Sequence, residues 1–232
     1  MMRFFIYTSF LLFSIYTIAQ DSIPKYKGDS LYREDQFYIG VSYNVFAFTP
    51  SGMSPEGISA GFQLGFLRDF PVNRRRNLAI AIGVGFSYDQ YGQNLLINEN
   101  DQGNTTYTII GSDQDFKRNR FSLSVIEAPI ELRWRSSTAT EYKFWRVYAG
   151  FRAGYTIWNQ SSYKDYTDII RVNNVNEFEK LRLGASLSVG FNKFNLFAYY
   201  SLNPFFNENA VTTEGQKVNF HGIKLGLVFY IL

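Results

Sequence analysis

The amino-acid sequence predicts an all-β fold: an eight-stranded antiparallel transmembrane β-barrel with a filled lumen. Three observations predict it. Apolar residues recur at every second position over runs of about ten residues, as in strands with one oily face. The intervening positions are mostly Gly, Ser and Ala, and the later connections alternate between compact and long. A soluble β-sandwich also alternates, but its strands are usually about five or six residues long, and a water-washed face favours Lys, Glu and Thr. Small inward residues suit an eight-stranded barrel, whose interior holds little beyond its own side chains.

Composition narrows the function classes. The 232 residues show no internal repeat, so a single folded domain is the default. Aromatic residues make up 19% of the chain, with 23 Phe and 17 Tyr, a mix that suits a pleated surface. The mean hydropathy is slightly negative, which argues against a helical membrane protein. The net charge of +3, from 23 basic and 20 acidic residues, is too balanced to imply nucleic acid. Cysteine is absent, which removes disulfides, thiolate nucleophiles, zinc–thiolate sites and a lipid anchor on an N-terminal Cys. No cofactor and no small-molecule substrate is implied.

Residues 1–20, "MMRFFIYTSFLLFSIYTIAQ", place Arg3 ahead of an uncharged, mostly apolar run and end on Ala19-Gln20. This is the pattern of a secretory signal peptide cleaved near Ala19 or Gln20. A retained anchor would need about 20 apolar residues. Residues 21–36 form a polar periplasmic lead, and 37–232 the barrel. In the first strand Phe37, Ile39, Val41, Tyr43 and Val45 share one face, against Gly40, Ser42 and Asn44. In the second, Ile58, Ala60, Phe62, Leu64 and Phe66 oppose Ser59, Gly61, Gln63 and Gly65. The same alternation runs through 78–88, 181–191 and 223–231. In all this makes eight strands, at about 37–48, 57–69, 78–89, 119–135, 144–158, 180–191, 194–203 and 218–231. Segments 71–77, 136–142 and 192–193 are compact, whereas 90–118, 159–179 and 204–217 are long and polar; 49–56 breaks the trend. Short periplasmic turns and long outer loops are the expected asymmetry, with both termini in the periplasm. Lys224 to Ile231, with Gly226, resembles the last-strand pattern read by barrel-assembly machinery, although Leu232 stands where an aromatic is common. Trp145 and Trp158 are the best candidates for interfacial girdles, with Tyr26, Tyr32 and Phe70 also near strand ends or in the lead.

Residues 119–155 depart from clean alternation. Phe121, Leu123 and Val125 share one parity and Ile130, Leu132 and Trp134 the other. A β-bulge near 126–129 would reconcile them, since Pro129 is tolerated there. Glu127, Glu131, Arg133 and Arg135 then face the lumen, as do Arg146, Tyr148, Gly150 and Arg152 of the next strand. Charges enclosed in a narrow barrel are expected to pair, so a lumenal ion-pair network of Glu127, Glu131, Arg133, Arg135, Arg146 and Arg152 is the leading reading. A phosphate-binding strip near the periplasmic mouth is a weaker one. A glycosidase carboxylate pair is disfavoured, because four arginines would keep both acids ionised.

The stretch "EAPIELRWRSSTATEYKFWRVYAGFRAGY" (127–155) resembles the PorT family of Bacteroidota outer-membrane proteins. The likeness rests on Glu127, Pro129, Glu131, Arg133, Trp134, Arg135, Ser137, Thr138, Tyr142, Phe144, Trp145, Arg146, Tyr148, Gly150 and Gly154. The rest of the chain agrees only in length, leader and barrel pattern. The resemblance implies a non-enzymatic outer-membrane component of the type IX secretion system, which moves folded cargo across the outer membrane and in gliding relatives supports motility. Its partners would be membrane lipid and other secretion subunits in the outer membrane or periplasm. Arg74, Arg75 and Arg76, with the turn at 136–143, would then face periplasmic partners; a merely solvated turn is the plainer reading. Two alternatives stay open. One is a generic porin-like small barrel with an envelope-structural or adhesive role. The other, a lipid-modifying enzyme, would need a nucleophile and base, for which His221 and Ser201 are the thin candidates.

Overall fold

The computed structural model describes residues 35–100, 102–111, 113–136, 145–191 and 194–231. The leader at 1–20, most of the lead, the turns 137–144 and 192–193, and Tyr26, Tyr32, Tyr142 and Phe144 lie outside the described residues. The strands are β1 (Gln36–Ala47), β2 (Ala60–Pro71), β3 (Leu78–Gly92), β4 (Leu95–Glu99), β5 (Thr105–Ile109), β6 (Arg118–Arg135), β7 (Trp145–Lys164), β8 (Ile169–Asn173), β9 (Leu181–Phe191), β10 (Phe194–Ser201) and β11 (His221–Ile231).

Eight of them form the barrel in the order β1-β2-β3-β6-β7-β9-β10-β11, every neighbour antiparallel. The last strand returns to the first, in a register running from Phe37 opposite Ile231 to Ala47 opposite His221. That closure leaves the wall without a free edge. The other strands belong to the loops. β4 and β5 make a hairpin within the third connection, and β8 extends the sheet beside the upper part of β7. The predicted long polar segments are thus folded rather than featureless.

Alternation sorts the two faces as expected. Phe37, Val84 and Leu196 are 60%, 65% and 69% exposed, and Ile39, Leu64, Ile82, Ile130, Phe151 and Leu187 follow them around the wall. Water tolerates contiguous apolar patches of only a few hundred Å², so such a continuous band marks contact with acyl chains. The opposite face is buried, and its small residues have a definite role. A Cβ on Gly85 would lie 2.1 Å from the Tyr38 hydroxyl, and one on Gly184 would lie 2.1 Å from the Tyr199 ring. The glycines make room for aromatic rings crossing the lumen. Tyr38, Leu67, Tyr148, Phe197, Tyr199, Val228 and Tyr230 pack there together.

Strand β6 corrects the sequence reading. Phe121, Leu123 and Val125 do not face lipid. They point inward with Glu127, Glu131, Arg133 and Arg135, at 1%, 2% and 3% exposure. The parity of β6 is unbroken, and its pairing with β3 keeps one register from Trp134 to Arg120. The irregularity lies in β7: Ser124 faces Trp158 but Val125 faces Thr156, so Ile157 is the extra residue. Inward positions of β7 accordingly change from Arg146, Arg152 and Thr156 to Asn159 and Ser161. The upper part of β6 is oily because it meets a second core, not the bilayer. Phe121 and Leu123 pack with Tyr91, Leu95, Tyr107, Phe178, Phe205, Phe206 and Phe220 into an apolar cap at the loop end.

Closure can be tested at Gly226, where a Cβ would meet the Val41 carbonyl oxygen at 2.0 Å. Gly226→Val is expected to abolish refolding into lipid vesicles, read as loss of heat-modifiable gel migration. Leu227→Val, on the outer face, is expected to retain it.

Candidate functional site

The inward side chains of β2, β6 and β7 form a chain of opposite charges rising from the turn end. Asp69 on β2 sits between two arginines, with Oδ1 2.7 Å from Arg133 Nη1 and Oδ2 2.6 Å from Arg135 Nη1. Arg133 Nε donates to Glu131 Oε2 at 3.0 Å, and Arg152 Nη2 lies 3.7 Å from Glu131 Oε1. Arg152 Nη1 then donates to Glu127 Oε2 at 3.0 Å and to Gln63 Oε1 at 2.8 Å. Ser87 closes the series by donating to Glu127 Oε1 at 2.7 Å. Arg133 and Asp69 are fully buried, where a lone charge would cost several kcal/mol. Rings cover what the carboxylates leave. The Arg133 guanidinium lies 4.6 Å from the Tyr148 ring centre, and that of Arg152 lies 5.0 Å from Phe197. Such contacts are worth up to about 2 kcal/mol when desolvated.

A second pair occupies the level below the cap. Lys224 on β11 is bonded to Asp89 on β3, which also accepts from Asn44 Nδ2 at 3.2 Å. Above it Arg182 donates to the Pro204 carbonyl at 2.6 Å and stacks 4.4 Å over Phe205, tying the barrel to the cap. Within the cap Tyr107 donates to Glu177 Oε2 at 3.0 Å. Burial and that carboxylate push the phenol above its ordinary range, so it remains a neutral donor.

All six residues expected in the ion-pair network are buried inside the barrel. Five belong to the continuous chain. Arg146, set opposite Arg135 by the register, is buried and engaged at the turn end. Sequence reasoning missed Asp69, Asp89, Arg182 and Lys224, although parity pointed to them: Asp69 continues the face of Gly61, Gln63 and Gly65. With Asp69 holding both Arg133 and Arg135, a phosphate-binding strip there is displaced by the paired network. Pro129 faces inward opposite Arg152, whereas Trp134 and Trp145 lie on the lipid side, with Trp145 ringed against Phe191 at 5.6 Å. Trp158 stacks on Tyr88 at 6.4 Å, at the loop end of the apolar band.

The turn joining β2 to β3 presents Arg74 and Arg75 to solvent, but not Arg76. Arg76 is half-buried with φ 55°, and its carbonyl accepts from Arg135 Nε at 3.2 Å. The candidate His–Ser pair is not formed. His221 Nδ1 lies 2.8 Å from the backbone oxygen of Ser201, while the Ser201 hydroxyl donates to the Asn203 carbonyl at 2.8 Å.

A closed antiparallel wall with an oily exterior and a charge-paired interior defines the class of small outer-membrane β-barrels. The chain belongs to the outer membrane protein beta-barrel domain family, whose profile matches residues 18–207. No curated protein sequence matches it. Among solved structures it is similar to Ail, the attachment invasion locus protein of Yersinia pestis. That likeness has 14% identity over 87% of this chain and 100% of Ail, with a TM-score of 0.42. Ail in complex with the heparin analogue sucrose octasulfate gives 15% identity, 85% and 99% coverage, and a TM-score of 0.35.

Removing Asp69 takes the shared carboxylate from two buried arginines, leaving Arg133 its bond to Glu131 and Arg135 its bond to the Arg76 carbonyl. Asp69→Ala is expected to destabilise the vesicle-folded protein by about 3–5 kcal/mol, measured by urea unfolding. In planar bilayers the wild-type chain is expected to conduct no more than background; sustained open-channel current would overturn the filled-lumen reading.

Proposed function

We propose that the chain is a non-enzymatic, membrane-embedded interaction subunit of protein secretion, as its resemblance to the PorT family implies. The carrying observation is the occupied interior. A lumen threaded by the chain from Arg135 to Glu127 and capped by aromatic residues offers solutes no path, which leaves the two ends for function. Residues 127–155 carry the resemblance, and the buried charges among them account for much of their pattern as lumen architecture. The turn end, with exposed Arg74 and Arg75, supplies a cationic surface for periplasmic subunits. In this reading the barrel is a fixed post in the outer membrane around which a type IX secretion machine assembles. A second reading, a small barrel with an adhesive or envelope-structural role, is favoured by the folded loop cap, since an ordered surface suits a binding partner.

Deleting the gene in its native host separates the two. Loss of type IX cargo from the culture supernatant, restored by the wild-type chain, is the expected result. Normal secretion with altered surface attachment would sink the first reading in favour of the second.

A further inference from the structure

The outward face of β6, β7 and β8 changes character in steps above the bilayer. Register aligns its residues into rows. Phe86, Ile126 and Tyr155 form an apolar row. Tyr88, Ser124 and Trp158 form the next, with the two rings stacked. Gln90, Ser122, Gln160 and Asn173 form an amide and hydroxyl row, and above it stand Arg120, Ser162 and Arg171. Arg118 and Lys164 pair in the row beyond. Four cations therefore share one patch of wall, and no carboxylate stands in these rows.

Their charges are uncommitted. None of the four takes part in an ion pair among the described residues, and Arg120 Nη1 donates only to Gln90 Oε1 at 2.8 Å. Asp115, Asp165 and Asp168 flank the four cations in sequence, the latter two in the β7–β8 turn, and Glu56 lies in the cleft beside Arg118 and Arg120. Asp165 Oδ1 accepts from the amides of Thr167 and Asp168 at 2.7 and 2.6 Å. Lys117 sits 4.7 Å over the Tyr166 ring at the patch edge. Beside the patch opens a cleft of about 490 Å³, lined by Glu56, Ile58, Phe116, Lys117, Arg118 and Arg120 among others.

Height selects the occupant. The row of Arg120 and Arg171 lies four residues beyond the level of Ser124 and Trp158, about 13 Å along the strand. With the tilt usual for such barrels this is roughly 10 Å of height, and the Arg118 and Lys164 row stands higher. The interfacial layer of a bilayer is only about 5–7 Å thick on each side. The phosphate of an ordinary glycerophospholipid would therefore lie below these cations, level with the aromatic and amide rows. A lipid whose phosphates are carried on sugars lifts them to the cationic rows, and its hydroxyls meet Gln90, Gln160 and Asn173. We infer that this patch binds the phosphorylated saccharide headgroup of an outer-leaflet glycolipid, with Arg118, Arg120, Lys164 and Arg171 contacting phosphate.

The test uses the full mature chain folded in detergent micelles, titrated with purified phosphorylated lipopolysaccharide and followed by native mass spectrometry. The wild-type protein is expected to retain the glycolipid. The Arg118→Gln/Arg120→Gln/Lys164→Gln/Arg171→Gln variant is expected to bind at least tenfold more weakly, while Arg74→Gln/Arg75→Gln binds unchanged. Phosphatase-treated glycolipid is expected to bind as weakly to the wild type as intact glycolipid does to the fourfold variant. Because the fourfold variant has a folding risk, Arg171→Gln and Lys164→Gln are measured singly, each expected to weaken binding by twofold or more. Failure of the wild type to bind would overturn the inference. So would undiminished binding by the variants, or equal binding of dephosphorylated glycolipid, phosphatidylglycerol or inorganic phosphate.

Discussion

In hydrocarbon a backbone amide or carbonyl finds no water, so every strand in the wall needs a partner on both sides. The pairing of β1 with β11 meets that demand, and most of the architecture follows from it. A closed wall of eight strands fixes a narrow bore and two faces of strictly alternating residues. Side chains on one face are solvated by acyl chains. Those on the other are confined with one another, and any charge placed there must find its complement inside. The sequence of Arg135, Asp69, Arg133, Glu131, Arg152 and Glu127 is the result of that confinement.

That chain of charges adds little net free energy compared with an apolar filling, because whole buried ion clusters can often be replaced by hydrophobic residues without loss. What it specifies is register. Asp69 reaches both Arg133 and Arg135 only when β2, β3 and β6 are aligned as observed, and a slip of one residue would turn it toward lipid. Aromatic rings do similar work across the bore. Tyr38 needs Gly85, and Tyr199 needs Gly184, so the small residues opposite them are part of the same alignment.

Much of this was legible from alternation alone. The eight barrel strands and most lipid faces follow from period-two patterning, whereas the inward placement of Glu127, Glu131, Arg133 and Arg135 rests, in the sequence, on a bulge at 126–129 that β6 does not have. The inward placement of Asp69 is also legible by extending the parity of Gln63 and Gly65. The upper part of β6 was misread for a physical reason. Phe121, Leu123 and Val125 are as oily as lipid-facing residues, and nothing local reveals that Phe205, Phe206 and Phe178 come from distant loops to cover them. The hairpin of β4 and β5 was hidden likewise, since "LLINE" and "TTYTI" are short and sit among turn-forming polar residues. The cationic rows were invisible until register brought Arg120 and Arg171 to one level through Ser162.

The extra residue at Ile157 divides β7 into two lengths that answer to different rules. Between Trp145 and Tyr155, gaining or losing a single residue would swing arginines into the acyl layer, so this half tolerates exchange of side chains but not a change of length. Beyond Ile157 the strand is one step out of phase, and its inward positions become Asn159, which holds the Val175 amide, and Ser161. The barrel thereby joins a half whose length is set by buried charge to a half whose length is set by the cap and by pairing with β8.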